Sequence, residues 1–169
     1  MGRVQFVNPN DPEQPAAGVY RWYCVRNGRE SFTLYVGSAG KPRQTKSGRA
    51  QKWPSTLWRG ISHVSSDDIT TNEGRSLDTD FIVGSAIRFF KSNGYDCCWE
   101  HVCEDANQES GSCVKYKPIL QDGTTIKREF RPRKPNGSLW DKKNVADVNF
   151  ATQKLNELFG ECLKDDAGT

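Results

Sequence analysis

The sequence predicts a small α/β domain that opens with a β-hairpin. Three observations predict it. Two runs rich in aromatic and β-branched residues, Val19 to Val25 and Phe32 to Val36, flank Asn27-Gly28, the dipeptide with the strongest short-range hairpin signal. Apolar residues then recur at helical spacing in two segments, separated by a polar stretch over 65–80. A strand-like run, Tyr95 to Cys103, follows the second helical segment. The 169 residues suit one domain with a small extension.

Residues 1–17 carry three prolines and no periodicity, which predicts a flexible N-terminal arm. If Asn27 and Gly28 form a two-residue loop, Arg26 faces Arg29 and the register follows by constant sum. Cys24 then faces Ser31, Trp22 faces Thr33 and Tyr20 faces Tyr35. Opposed residues share a face of the ribbon, so this register sets two phenols side by side. Residues 37–52 read as a basic loop. Pro54 suits the first turn of a helix that turns Leu57, Ile61 and Val64 inward. Arg59 and His63, four apart, share another face of it. Asp78 or Thr79 can cap a helix through Phe81, Ile82, Ala86, Phe89 and Phe90 that stops at Asn93-Gly94. Glu104 to Tyr116 is a poor helix, with Ser110-Gly111-Ser112 in its middle and Pro118 at its end. Thr124 to Phe130 reads as a strand, and prolines break Arg131 to Asn136. Asn144 can cap a last helix with Val148, Leu155, Leu158, Phe159 and Cys162 inward.

The apolar fraction of 35% and the mean hydropathy of −0.76 leave room for one modest core. No run approaches the ~18 apolar residues of a membrane span. With no apolar run in residues 1–17, no secretion signal is expected. The chain reads as soluble and intracellular, cytoplasmic or nucleoid-associated. The net charge is +3, but its distribution is uneven. Lys41, Arg43, Lys46, Arg49, Lys52 and Arg59 occur in a stretch free of acids. Residues 123–143 hold seven basic residues against Glu129 and Asp141. Two basic blocks in a near-neutral chain point to a polyanion partner. The six cysteines read as reduced, mostly buried thiols. Cys97, Cys98, His101, Cys103 and Cys113 contain no C-x-x-C pair, so zinc is not expected.

Cutting a phosphodiester needs a base for water, a cation for the phosphate and a carboxylate to hold a metal. The chain offers opposed tyrosines, an Arg–His helix face and several acids after the third strand. Here the residues resemble a known family. Gly18-Val19-Tyr20 and Tyr35-Val36-Gly37 look like the two signature triplets of GIY-YIG nucleases. Arg59-x-x-x-His63 resembles that family's first-helix pair. The run from Ala86 to Asp96 resembles its second helix, turn and third strand. Glu109, nine before Pro118 in a segment ending Lys115-Tyr116-Lys117-Pro118, resembles its metal-binding glutamate helix.

The resemblance covers residues 18–121 and leaves 122–169 as a C-terminal extension that could bind DNA. It implies an antiparallel three-stranded sheet with flanking helices, and a Mg²⁺-dependent DNA endonuclease. Tyr20 or Tyr35 would deprotonate water, with Tyr20 preferred. Arg59 would clamp the phosphate, His63 would bond a tyrosine or the phosphate, and Glu109 would bind one Mg²⁺. Glu100, Glu104 and Asp105 compete with Glu109, and Arg43 and Arg49 compete with Arg59. Lys41, Arg43, Arg49, Lys52, Lys127, Arg128, Arg131, Arg133 and Lys134 are candidate contacts to DNA, with Trp53, Trp58 or Trp140 to stack or wedge. The chain departs from the family pattern in a longer gap between the triplets, and in Gln121 where asparagine is usual. The alternatives are a catalytically silent nucleic-acid-binding module and a structure-selective repair nuclease. Cutting both strands of a duplex would favour a homodimer.

Overall fold

A computed structural model describes residues 17–39, 42–44, 50–52, 62–64, 69–71, 76–141 and 143–167, with backbone alone at 42–44, 50–52 and 165–167. The arm expected over 1–17 lies outside the described residues apart from Ala17. The architecture is α/β, built on a three-stranded antiparallel sheet. β1 (Gly18–Arg26) is its middle strand, between β2 (Arg29–Ala39) and β5 (Asp96–Cys103). β3 (Pro42–Gln44) and β4 (Ala50–Lys52) form a small separate hairpin within the stretch read as loop. Residues 62–64 are helical (α1). They are followed by α2 (Thr79–Ser92), α3 (Glu109–Tyr116) and α4 (Val145–Ala167).

The turn between β1 and β2 forms as its dipeptide dictates. Asn27 and Gly28 both take positive φ, 54° and 75°, as a type I′ loop requires. Arg26 faces Arg29 as expected, but the constant-sum register fails beyond it. Val25 pairs with Glu30, Cys24 with Phe32, Tyr23 with Thr33, and Trp22 with Tyr35. Two one-residue bulges in β2, at Ser31 and Leu34, cause the change. Tyr20 therefore faces Gly37, not Tyr35. One bulge alone would have opposed Tyr35 to Arg21 and turned it to the other face. Two return it to the face of Tyr20, two residue pairs along the ribbon.

The two faces of the sheet carry different layers. Tyr20, Trp22, Leu34 and Tyr35 join Phe81, Ile82, Ala86 and Phe90 of α2, and Leu155 and Phe159 of α4, in the main core. Side chains such as Trp22, Phe90 and Phe159 are almost wholly removed from water, a contribution of about 1.5–3 kcal/mol each. On the opposite face, Val19 and Val36 pack with Cys113 of α3.

α2 starts where expected. Asp78 caps it, its Oδ1 accepting from Asp80 N at 2.8 Å, and it ends at Asn93 before Gly94 at φ 90°. α3 forms despite Ser110-Gly111-Ser112, because Ser112 and Cys113 are buried against the sheet and packing outweighs weak propensity. Lys117, at φ 48°, ends it just before Pro118.

The outer edge of β2 is covered by the next segment. Ile119 N donates to Thr33 O (2.9 Å) and Leu120 N to Leu34 O (3.2 Å). The strand expected over Thr124 to Phe130 is much shorter. Gln121–Asp122 (β6) pairs only with Thr125–Ile126 (β7), and Arg128–Phe130 is a 3-10 turn. Residues of the extension share the main core. Phe130 stacks on Phe159 at 5.7 Å, and Ile126, Trp140 and Ala151 belong to the same cluster. Asn144 caps α4 through Ala146 N at 3.0 Å. Leu155 and Phe159 are buried, with Val148, Leu158 and Cys162 packed beside them. Among the described residues no helix is long and apolar enough to cross a membrane.

Candidate active site

The site begins at the first turn of β1. Tyr20 lies two residue pairs from Tyr35 on the same face, with ring centroids 6.2 Å apart. What stands opposite Tyr20 is Gly37, and only glycine fits there. A Cβ at Gly37 would stand 2.6 Å from Tyr20 Cζ and 2.8 Å from Tyr35 Cε1. The two phenol rings occupy the space a side chain would need, so the second triplet ends in glycine for a packing reason.

His63 enters from α1 and is wholly buried. Its Nε2 lies 2.6 Å from the Tyr20 hydroxyl, and its ring meets Tyr35 edge-on at 5.0 Å. Its Nδ1 lies 2.5 Å from Asp80 Oδ1. A carboxylate so near a bare ring lone pair would be repelled, so the proton belongs on Nδ1. Nε2 is then the acceptor and the Tyr20 O–H donates to it. Asp80 is in turn placed by the helix cap, since its own N–H is held by Asp78. The approach of α1 to α2 depends on Gly84, where a Cβ would overlap the His63 carbonyl.

The second triplet is also gripped from its far side. Val36 N donates to Gln121 Oε1 and Gln121 Nε2 donates to Val36 O, both at 2.8 Å. Gln121, noted in the sequence only as a departure from asparagine, thus locks the backbone between Tyr35 and Gly37. Glu109 starts α3, and its Oε2 accepts from Ser38 Oγ at 2.8 Å, one residue beyond Gly37. Two of its rivals are used elsewhere. Glu100 pairs with Arg21 at 2.5 Å, and Asp105 caps a 3-10 turn through Asn107 N. Among the described residues no group of three or more His, Cys, Asp or Glu side chains is set to cage a metal. A single Mg²⁺ held by one carboxylate, water and substrate phosphate does not need such a cage, so the donor chemistry at Glu109 fits a hard cation.

The structure thus brings Tyr20, Tyr35 and His63 together on one face of the sheet and sets Glu109, at the start of α3, on the opposite face beside the end of the second triplet. Arg59, Lys41, Arg49, Trp53 and Trp58 lie outside the described residues, and the side chains of Arg43 and Lys52 do too. Of the basic residues in the extension, Arg128 and Arg133 are exposed and Lys127 is half-buried. Lys134 pairs with Asp147 at 2.8 Å, and Arg131 turns inward to Leu77 O and Thr79 Oγ1. Trp140 is not available to stack on a base. It is buried, with Nε1 donating to Pro132 O at 3.1 Å.

Sequence reasoning missed Asp80, Gln121 and the inward turn of Arg131. The one signal for Asp80 was its place two residues after a capping aspartate. Comparison of the chain with protein-family models, curated proteins and solved structures gives no match.

Proposed function

We propose that the chain is a Mg²⁺-dependent endonuclease of the GIY-YIG type that hydrolyses DNA. The observation that carries this reading is the series Tyr20 hydroxyl, His63 ring, Asp80 carboxylate, with contacts of 2.6 and 2.5 Å. A free phenol, with a pKa of about 10, is a poor base near neutrality. A neutral imidazole on the phenol oxygen removes that obstacle. His63 Nε2 takes the Tyr20 proton, the phenolate takes a proton from the attacking water, and Asp80 stabilises the imidazolium. Tyr35 orients water or phosphate against Tyr20. Arg59 clamps the scissile phosphate with its fork of donors. Glu109 would hold a divalent cation, which would supply charge stabilisation for the leaving 3′ oxygen. The products are a 5′ phosphate and a 3′ hydroxyl, the leaving oxygen taking its proton from solvent. Arg128, Arg133 and Lys127 follow the DNA backbone.

The decisive assay is cleavage of a plasmid in Mg²⁺ against EDTA, with DNA binding measured in parallel. Nicking or cutting that Glu109→Ala or Tyr20→Phe abolishes, with binding retained, supports the reading. Mapping the ends then separates one repeated site, the mark of a restriction enzyme, from ends at branches or flaps, the mark of repair.

One observation favours a second reading. Tyr20 is 1% exposed and His63 is wholly buried, so neither is open to a phosphate. A silent nucleic-acid-binding module would leave plasmid intact in every condition while binding persists.

A further inference from the structure

We infer that Arg131 of the C-terminal extension is a positioning residue for the Tyr20–His63–Asp80 series, an inference that rests on the nuclease reading. The extension is then part of the catalytic unit, not only an arm that holds DNA. Three observations lead there. First, the Arg131 guanidinium donates to Leu77 O and to Thr79 Oγ1 (2.9 Å). These two residues flank Asp78, the cap of α2. Second, Thr79 directly precedes Asp80, whose carboxylate sets the His63 proton. The same stretch is tied on its other side by Asp78 N to Ile69 O (2.9 Å) and by the Thr70–Leu77 bridge. Arg131 is therefore the extension's grip on the one helix end that places the carboxylate.

Third, Arg131 differs from its neighbours in kind. Arg128 and Arg133 are exposed, as residues that track a phosphate backbone should be. Arg131 is half-buried, and burial lowers its pKa against the opposing influence of Asp78 and Tyr35. Tyr35 is thus within electrostatic reach. Only a planar fork can reach the carbonyl and the hydroxyl together, so lysine is no substitute.

The test compares wild type, Arg131→Ala, Arg131→Lys and Arg133→Ala as full-length chains on supercoiled plasmid with Mg²⁺. Arg131→Ala should lower kcat about 100-fold, the scale of a small misplacement of a catalytic group, with KM changed less than about threefold. Arg131→Lys should recover little of kcat, and Arg133→Ala should raise KM with kcat kept. A rise in KM with kcat intact in Arg131→Ala would make Arg131 a DNA contact and overturn the inference.

The ¹⁵N signals of the His63 ring, titrated without DNA, give a second readout independent of cleavage. Loosening Asp80 should lower the pH at which His63 titrates in Arg131→Ala and in the better-packed Arg131→Lys. If wild type does not cut, the nuclease reading fails, yet this shift still reports on the grip. An unchanged His63 titration in a folded Arg131 variant overturns the inference.

Discussion

Tyr20 and Arg21 are consecutive in β1, face opposite sides of the sheet and are both buried, yet they are held in different ways. Arg21 pairs with Glu30 and Glu100, donates to Thr33 Oγ1 at 2.9 Å, and lies over the rings of Tyr23 (4.2 Å) and Tyr116 (4.3 Å). Burial pulls its pKa down, but Glu100 and Glu30 outweigh that and hold it above the ordinary value. Every contact of that cluster depends on one fixed charge. Tyr20 instead meets a ring that can gain a proton, backed by a carboxylate that welcomes the gain. A buried polar group points to chemistry when its partner can change protonation state. When its partners only neutralise it, the group is a clamp.

The comparison can be broken by mutation. The largest effect is expected on the Tyr20 side. Tyr20→Phe should lower single-turnover cleavage by about 10²–10⁴-fold with circular dichroism unchanged. Asp80→Asn should follow it, through the wrong ring tautomer at His63. Gly37→Ala comes next, since the new methyl must displace both phenol rings. It should cost about 1–3 kcal/mol in denaturant unfolding and impair cleavage as well.

Arg21→Ala should cost about 2 kcal/mol, chiefly through the lost packing of a buried side chain, because Glu30 and Glu100 are both more than a third exposed and stay partly solvated. Its cleavage rate at saturating DNA should match wild type, and a loss as large as that of Tyr20→Phe would erase the distinction. The smallest effect concerns His101, which pairs with Tyr20 across β1 and β5. Burial lowers its pKa, with Glu104 opposing in part. The folded state therefore prefers the neutral ring. That contribution is full above the unfolded value of about 6.5 and is lost as pH falls from there through the lower folded value. The melting temperature should decline on acidification through that range, and His101→Gln should flatten the decline.

Local chemistry made much of the fold readable. Asn27-Gly28, Asp78 and Asn144 each act on backbone within three residues, so their turn and caps could be placed from residue type alone. The inward face of α4 followed from spacing. The bulges could not be read, because Ser31 and Leu34 carry no mark of one. α3 was underrated because its stability comes from the sheet beneath it and not from its own residues. At the site, the tyrosines and His63 stood out through the resemblance of their triplets and of Arg59-x-x-x-His63 to a known family, while the spacing alone misplaced Tyr35 opposite Tyr20. Asp80 did not, because an acid in the first turn of a helix is ordinary dipole chemistry. Gln121 and Arg131 act across 85 and 52 residues of chain, a distance at which sequence pattern is silent.

The paired bulges of β2 bear on how chain length and site geometry are related. Each takes up one residue of slack, so the number of residues between two aromatic positions is a poor guide to their separation in space. A chain with two fewer residues between its tyrosines could keep the same ring arrangement as a plain ribbon. A chain one residue shorter would need a single bulge. Sequence spacing in this hairpin therefore counts stored slack, and the geometry is conserved through it.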